Sequence, residues 1–122
     1  MKLLLNYGAD INKPEPVLGQ SALLATAELG LTEVVQLLID YNAVVNYQSH
    51  VTGMTALMLA SMNGHQGTVI TLLNNYADIN ILDHKSWNTL MHATKKGYRD
   101  ILLNAMIYIT PYAKVNLIPW YL

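Results

Sequence analysis

Residues 53–65 read GMTALMLASMNGH, and residues 19–31 read GQSALLATAELGL. The two phrases lie 34 residues apart. They share a glycine, a hydroxyl residue two places on, an alanine-containing apolar run and a second glycine. A third, more divergent copy, SWNTLMHATKKGY, spans residues 86–98. Other markers keep the same period. The phrases GADIN (8–12), NAVVN (42–46) and YADIN (76–80) place Asn12, Asn46 and Asn80 at intervals of 34. Gly30 to Gly64 is 34 residues, and Gly64 to Gly97 is 33. A fixed period of this length marks stacked structural repeats.

Each unit reads as two helices and a link. In the unit that starts at Gly19, Ser21–Leu29 is a short helical phrase with small residues at Ala22, Ala25 and Ala27. Small side chains let a neighbouring helix come close. Gly30 supplies the left-handed conformation that ends a helix. Thr32 is expected to cap the next helix, with Glu33 favoured in its first turn. That helix carries Val34, Leu37, Leu38 and Tyr41, the spacing of a helix with one buried face. Asn42 stands where Gly8 stands one unit earlier, and asparagine tolerates the left-handed region. The polar link Asn46–Gly53 is long enough for a hairpin-like finger. So short a helix pair cannot bury its own apolar face, whereas stacked copies cover one another.

Composition narrows the function classes. The chain has 122 residues, of which 52% are hydrophobic and 12% charged. That charged share is about half the usual value of ~25%, so apolar surface is left to be covered. A net charge of −1 gives no global attraction to nucleic acid or membrane. The charge is nevertheless uneven, with −4 over residues 1–80 and +3 over residues 81–122. There is no cysteine, so disulfides, thiolate nucleophiles and zinc–sulfur sites are absent. This fits a reducing compartment, and a cytoplasmic or nuclear location is expected. Asn6 and Asp10 cut short the apolar run Met1–Leu5, which does not read as a signal peptide. No stretch approaches the roughly 18 unbroken apolar residues of a membrane span.

The repeated phrase resembles the ankyrin repeat, whose pattern runs G-x-T-P-L-H-x-A-A-x-x-G-H, an apolar second helix, then G-A-D-x-N. In the unit from Gly53 the matching residues are Gly53, Thr55, Leu57, Ala60, Gly64, His65, Ala77, Asp78 and Asn80. In the unit before it they are Gly19, Ser21, Leu23, Ala27, Gly30, Val34, Val35, Leu37, Leu38, Ala43 and Asn46. The resemblance covers almost the whole chain. It implies an all-α fold, an ankyrin-repeat solenoid of stacked helix-turn-helix units with hairpin-like finger loops.

Departures from the pattern are informative. Ala22, Ala56 and Thr89 replace its proline, and Leu24, Met58 and Met91 replace its first-helix histidine. The hydrogen-bond network that the family builds on that histidine is therefore expected to be missing. Tyr76 replaces a glycine at a left-handed position. A bulky residue there costs on the order of 1–2 kcal/mol, so the preceding helix is expected to end differently. The first two fingers hold one more residue than the third.

The expected domain plan is a repeat array over 1–116 and a C-terminal tail over 117–122. Within the array come a partial repeat 1–18, repeats 19–52 and 53–85, and a divergent repeat 86–116. Lys2–Tyr7 reads as a second helix lacking its first. At the other end Ile101–Ile109 reads as an apolar helix stopped by Pro111. Ala113–Asn116, AKVN, faintly echoes ADIN, and LIPWYL (117–122) has no repeat identity. Both ends read as those of a piece of a longer array.

Catalytic chemistry is poorly represented. His50 and His84 occupy similar finger positions, but no carboxylate is spaced to complete a metal site. They read as solvated loop residues. Asp83, His84 and Ser86 are triad residue types, but neighbours in sequence point in different directions. No phosphate-binding glycine loop occurs. His65 reads as a structural residue at a turn, and His92 as a packed or edge residue.

The resemblance implies binding through a concave face, made by the finger tips and the solvent side of the first helices. Carried over position by position, the expected partner-binding residues begin with Leu18, Gln20, Glu28 and Leu29. The next unit supplies Val51, Met54, Met62 and Asn63, and the last supplies His84, Lys85, Trp87, Lys95 and Lys96. Leu29, Met54, Met62 and Trp87 would form an apolar stripe, and exposed Trp and Met are enriched at interfaces. Lys95, Lys96 and Arg99 form a small basic patch; it reads first as a solvated helix face, second as a site for an acidic segment of a protein partner, and third as a nucleic-acid contact, which needs a larger cluster. The expectation is a non-catalytic module that binds a partner protein, with no cofactor, no metal, no nucleic acid and no membrane span. It would act as a monomer or as part of a longer chain. The alternative is a scaffold segment of a longer array with no ligand of its own.

Overall fold

In a computed structural model, residues 10–113 are described, with side chains as far as Ile107. They form six helices: α1 (Ala22–Leu29), α2 (Thr32–Asp40), α3 (Ala56–Met62), α4 (Gln66–Asn74), α5 (Thr89–Lys96) and α6 (Arg99–Ala113). Among the described residues there is no strand. The helices come in three consecutive pairs. The first helices α1, α3 and α5 pack in one row, and the second helices α2, α4 and α6 in another. The half-repeat expected at Lys2–Tyr7, the AKVN phrase beyond Ala113 and the tail 117–122 lie outside the described residues.

The first helices start at side-chain caps. Ser21 Oγ accepts the Leu24 N–H, Thr55 Oγ1 accepts the Met58 N–H, and Asn88 Oδ1 accepts the Met91 N–H. Each cap satisfies one of the free N–H groups at a helix start. Helices α1 and α5 then end on left-handed Gly30 and Gly97. At the second helices the expectation needs correction. Thr32 is the first residue of α2 and not its cap; the cap is Leu31, which makes no side-chain bond. The Thr32 hydroxyl instead meets that of Thr68 in the next unit at 2.8 Å. The most buried residues of α2 are Val35 and Leu38, while Val34, Leu37 and Tyr41 are half-buried.

Tyr76 and Pro111 also depart from expectation. Tyr76 does take the left-handed conformation, with φ 69°, as Asn42 does with φ 73°. Helix α4 therefore ends as α2 ends. The Tyr76 N–H bonds Leu73 O and the Ala77 N–H bonds Leu72 O, matching Asn42 to Ile39 and Ala43 to Leu38. These bonds close the helix end, and Ala77 and Ile79 are then buried, so packing outweighs the local cost. The tyrosine side chain is 80% exposed and meets no crowding there. Helix α6 runs past Pro111 to Ala113. The missing proline N–H falls in the last turn, where it removes one bond close to the helix end.

Burial follows position in the stack. Six of the seven residues of α3 are buried, against three of eight in each of α1 and α5. Among the described residues only α3 has a first helix on both sides. Leu57, Met58 and Leu72 are almost wholly enclosed. Between units, Asn12 Oδ1 accepts the Val44 N–H and Asn46 Oδ1 accepts the Asp78 N–H, each at 2.8 Å. The repeated asparagine is thus a bridge to the next copy. Leu24 and Met58, at the family's histidine position, are enclosed apolar side chains, and Met91 is half-exposed.

The left-handed positions can be tested by exchange. Tyr76→Gly removes the strain but frees the unfolded chain, for a net gain of up to about 1 kcal/mol. The expected result is a higher urea midpoint. Gly53→Ala is expected to lose 1 kcal/mol or more, roughly. Its new Cβ would lie 2.6 Å from the His84 backbone nitrogen. Urea unfolding followed by circular dichroism checks both.

Candidate functional site

Each finger is closed by one polar side chain. Glu15, Ser49 and Asp83 stand 34 residues apart. Their backbone N–H groups donate across the finger, Glu15 to Gln20 O, Ser49 to Met54 O and Asp83 to Trp87 O. Their side chains then accept the N–H groups of the tip. Glu15 takes those of Val17, Leu18 and Gln20. Ser49 Oγ takes those of Val51 and Thr52. Asp83 Oδ1 takes those of Lys85 and Trp87, both at 2.9 Å. The third finger is a residue shorter, and Ser86 adopts φ 62° where the others use Gly19 and Gly53.

Rings 31–35 residues further along the chain cover the glycines. A Cβ at Gly19 would lie 2.6 Å from the His50 ring, and one at Gly53 would lie 2.5 Å from that of His84. The same holds lower in the stack, for Gly30 beneath His65 and Gly64 beneath Tyr98. His65 Nε2 donates to Glu28 O at 2.8 Å, and His84 Nδ1 to Val51 O at 3.2 Å. His50 and His84 are exposed at their edges, but each rests on the preceding finger. Among the described residues no three His, Asp or Glu side chains gather as a metal site requires.

The second and third fingers and the ends of α3 and α5 form a half-open cavity of about 390 Å³. It is lined by Val51, Thr52, Met54, Met62, Asp83, His84, Lys85, Trp87, His92, Lys95 and Lys96. Eight of these are residues expected from the sequence to face a partner. The other five expected residues lie elsewhere. Leu18 offers its carbonyl to Ser49 Oγ, and the Gln20 N–H is held by Glu15. The Glu28 carbonyl is held by His65, and Asn63 Nδ2 bonds back to Leu59 O in α3. Leu29 is 67% exposed at the end of α1. The expected apolar stripe therefore divides: Met54, Met62 and Trp87 share the cavity, and Leu29 stands outside it.

Of the other lining residues, Thr52 belongs to the same finger position as Val51 and Met54, while Asp83 and His92 were not expected. Asp83 does not act with its neighbour His84. Its Oδ2 bonds His92 Nε2 at 2.7 Å, and both side chains are buried or nearly so. A carboxylate only accepts, so this nitrogen carries the proton. The Trp87 ring lies 5.1 Å from the His92 ring, tilted by 44°. Lys95 Nζ sits 5.1 Å above the indole, a cation–π contact. The pair thus fixes the finger and the finger fixes the indole. Thr52, the one hydroxyl of the lining, accepts the Met54 N–H. Asp83 was visible as the third member of the 34-residue series Glu15, Ser49, Asp83. His92 carries no such signal, because it comes from a different element.

Burial pushes the Asp83 carboxyl up, but the Trp87 N–H, His92 and the Lys85 N–H together outweigh it and hold it below the ordinary aspartate range. Glu15 is also lowered, chiefly by the Gln20 N–H and against a burial effect, with help from the N–H groups of Val17 and Leu18.

Helix pairs stacked in register, with a looped finger between each, define a helical-repeat protein. The family model described as ankyrin repeats (3 copies) matches residues 1–83, more than half of the chain, and the chain belongs to the ankyrin repeat family. Such repeats are generally protein–protein interaction modules and generally non-catalytic. No curated protein matches the chain significantly. Helices α5 and α6 continue the stack beyond the matched residues. Among the described residues no helix is long and apolar enough to cross a membrane.

Because the Asp83 pKa is depressed in the folded state, its stabilisation is present above the ordinary aspartate value near 4 and is lost as pH falls through the folded value. Asp83→Asn is expected to flatten this acid limb, measured as urea midpoint against pH. Asp83→Ala strands the finger N–H groups and is expected to cost about 1–3 kcal/mol at neutral pH.

Proposed function

We propose that this protein is a non-catalytic interaction module that holds a segment of a partner protein in the cavity around Trp87. The single observation that carries this reading is the cavity itself. Three large apolar side chains, Met54, Met62 and Trp87, line a recess that the protein leaves unfilled. Its volume falls at the lower end of the ~300–1,000 Å³ range of ligand pockets, enough for one or two partner side chains. The recess lies between rigid elements: the indole is fixed by Asp83 and His92, and the second finger is tied to the third through the His84 N–H and Thr52 O at 3.0 Å. Such a surface loses little freedom on binding.

The test compares captures from cell lysate on the folded chain and on a Met62→Asp/Trp87→Ala variant of equal helicity. A partner held by the native chain and lost, by tenfold or more, from the variant is the expected outcome. Identical captures from both baits would leave the recess idle and favour a scaffold role.

A further inference from the structure

The recess has a chemical asymmetry that selects among partner segments. Its floor is apolar, and its rim carries Lys85 from the third finger with Lys95 and Lys96 from the end of α5. Among the described residues none of these ammonium groups has a carboxylate within ion-pair distance. Asp83 is the one acid in the lining, and its oxygens are taken by His92 and two backbone N–H groups. The lining thus sets three ammonium groups against one carboxylate, a formal +2 beside an apolar hole. Lysine at a helix C-terminus is ordinary, since it offsets the helix dipole. That accounts in part for Lys95 and Lys96, both in the last turn of α5. It does not account for Lys85, which is on a finger, or for Lys95 reaching over the indole.

Resting on the interaction reading above, we propose that the partner segment is acidic, with one bulky apolar side chain as its anchor. The anchor enters between Met54, Met62 and Trp87. Carboxylates on either side of it meet Lys85, Lys95 and Lys96. The charge distribution along the chain agrees: residues 81–122 carry +3 in a protein whose net charge is −1, so the field that attracts an acidic segment is local to this end. A nucleic acid would also seek the lysines. However, its phosphates make no use of the two methionines, and its binding normally draws on a larger basic footprint.

The experiment selects short random peptides displayed on phage against the folded chain, then measures synthetic copies of the enriched peptides by fluorescence polarisation. The expected enrichment joins one aromatic or large aliphatic residue to two or more Asp or Glu. Such peptides should lose binding to Trp87→Ala. They should weaken by about tenfold with Lys85→Gln/Lys95→Gln/Lys96→Gln, the sum expected of three partly exposed ion pairs. They should weaken similarly between about 0.05 and 0.5 M NaCl, as screening sets in. Neutral or basic peptides that still depend on Trp87 would overturn the acidic assignment and leave the interaction reading standing. Peptides indifferent to Trp87→Ala, or no enrichment, would overturn both. An oligothymidylate bound more tightly than any peptide, and lost with the lysines, would replace the acidic segment with nucleic acid.

Discussion

No helix pair in this protein can enclose its own apolar side chains, and the stack exists to meet that need. Helix α3 shows the consequence most clearly, because six of its seven residues are buried between α1 and α5. The same need explains why bonds between units recur with the period. Asn12 and Asn46 each reach the backbone of the following unit, and Thr32 reaches Thr68. Once the helices are stacked, backbone groups in the links between them face one another at fixed distances. A polar residue repeated at 34 is then enough to satisfy them.

The fingers pose a different difficulty. They have no ladder of strand bonds among the described residues, and their tips turn several N–H groups inward. One acceptor per finger solves this, but the three solutions differ in strength. Ser49 offers a neutral hydroxyl, and Glu15 offers a carboxylate at the surface. Asp83 offers a carboxylate whose second oxygen is locked to His92. Bonds to an ionised acceptor are stronger than neutral ones. The most firmly held finger is thus the one that carries Trp87 and Lys85, and this rigidity sits at the recess.

The fold was legible because its signal is long-range: Gly19, Gly30, Gly53 and Gly64, and the asparagines, agree at one interval, and local ambiguity averages out. Where reading failed, a local rule met a tertiary one. Tyr76 violates a backbone preference that two closing hydrogen bonds and the burial of Ala77 override. Thr32 looked like a cap, but its hydroxyl was needed by Thr68. The recess was legible as a set of positions, since eight of its residues follow from the family resemblance carried over position by position. Its supporting pair was not. Asp83 and His92 meet only because the finger folds back over α5, a distance that no spacing in the chain encodes.

The ring-over-glycine contacts bear on how such a chain lengthens over generations. In each pair, Gly19 with His50, Gly30 with His65, Gly53 with His84 and Gly64 with Tyr98, the cover stands 31–35 residues after the glycine, close to one period further on. A gene duplication of one whole period copies a cover and a socket together. The new unit then docks on its predecessor and receives its successor without any compensating change. Selection on that steric fit would favour whole-period steps even while the sequence around it drifts.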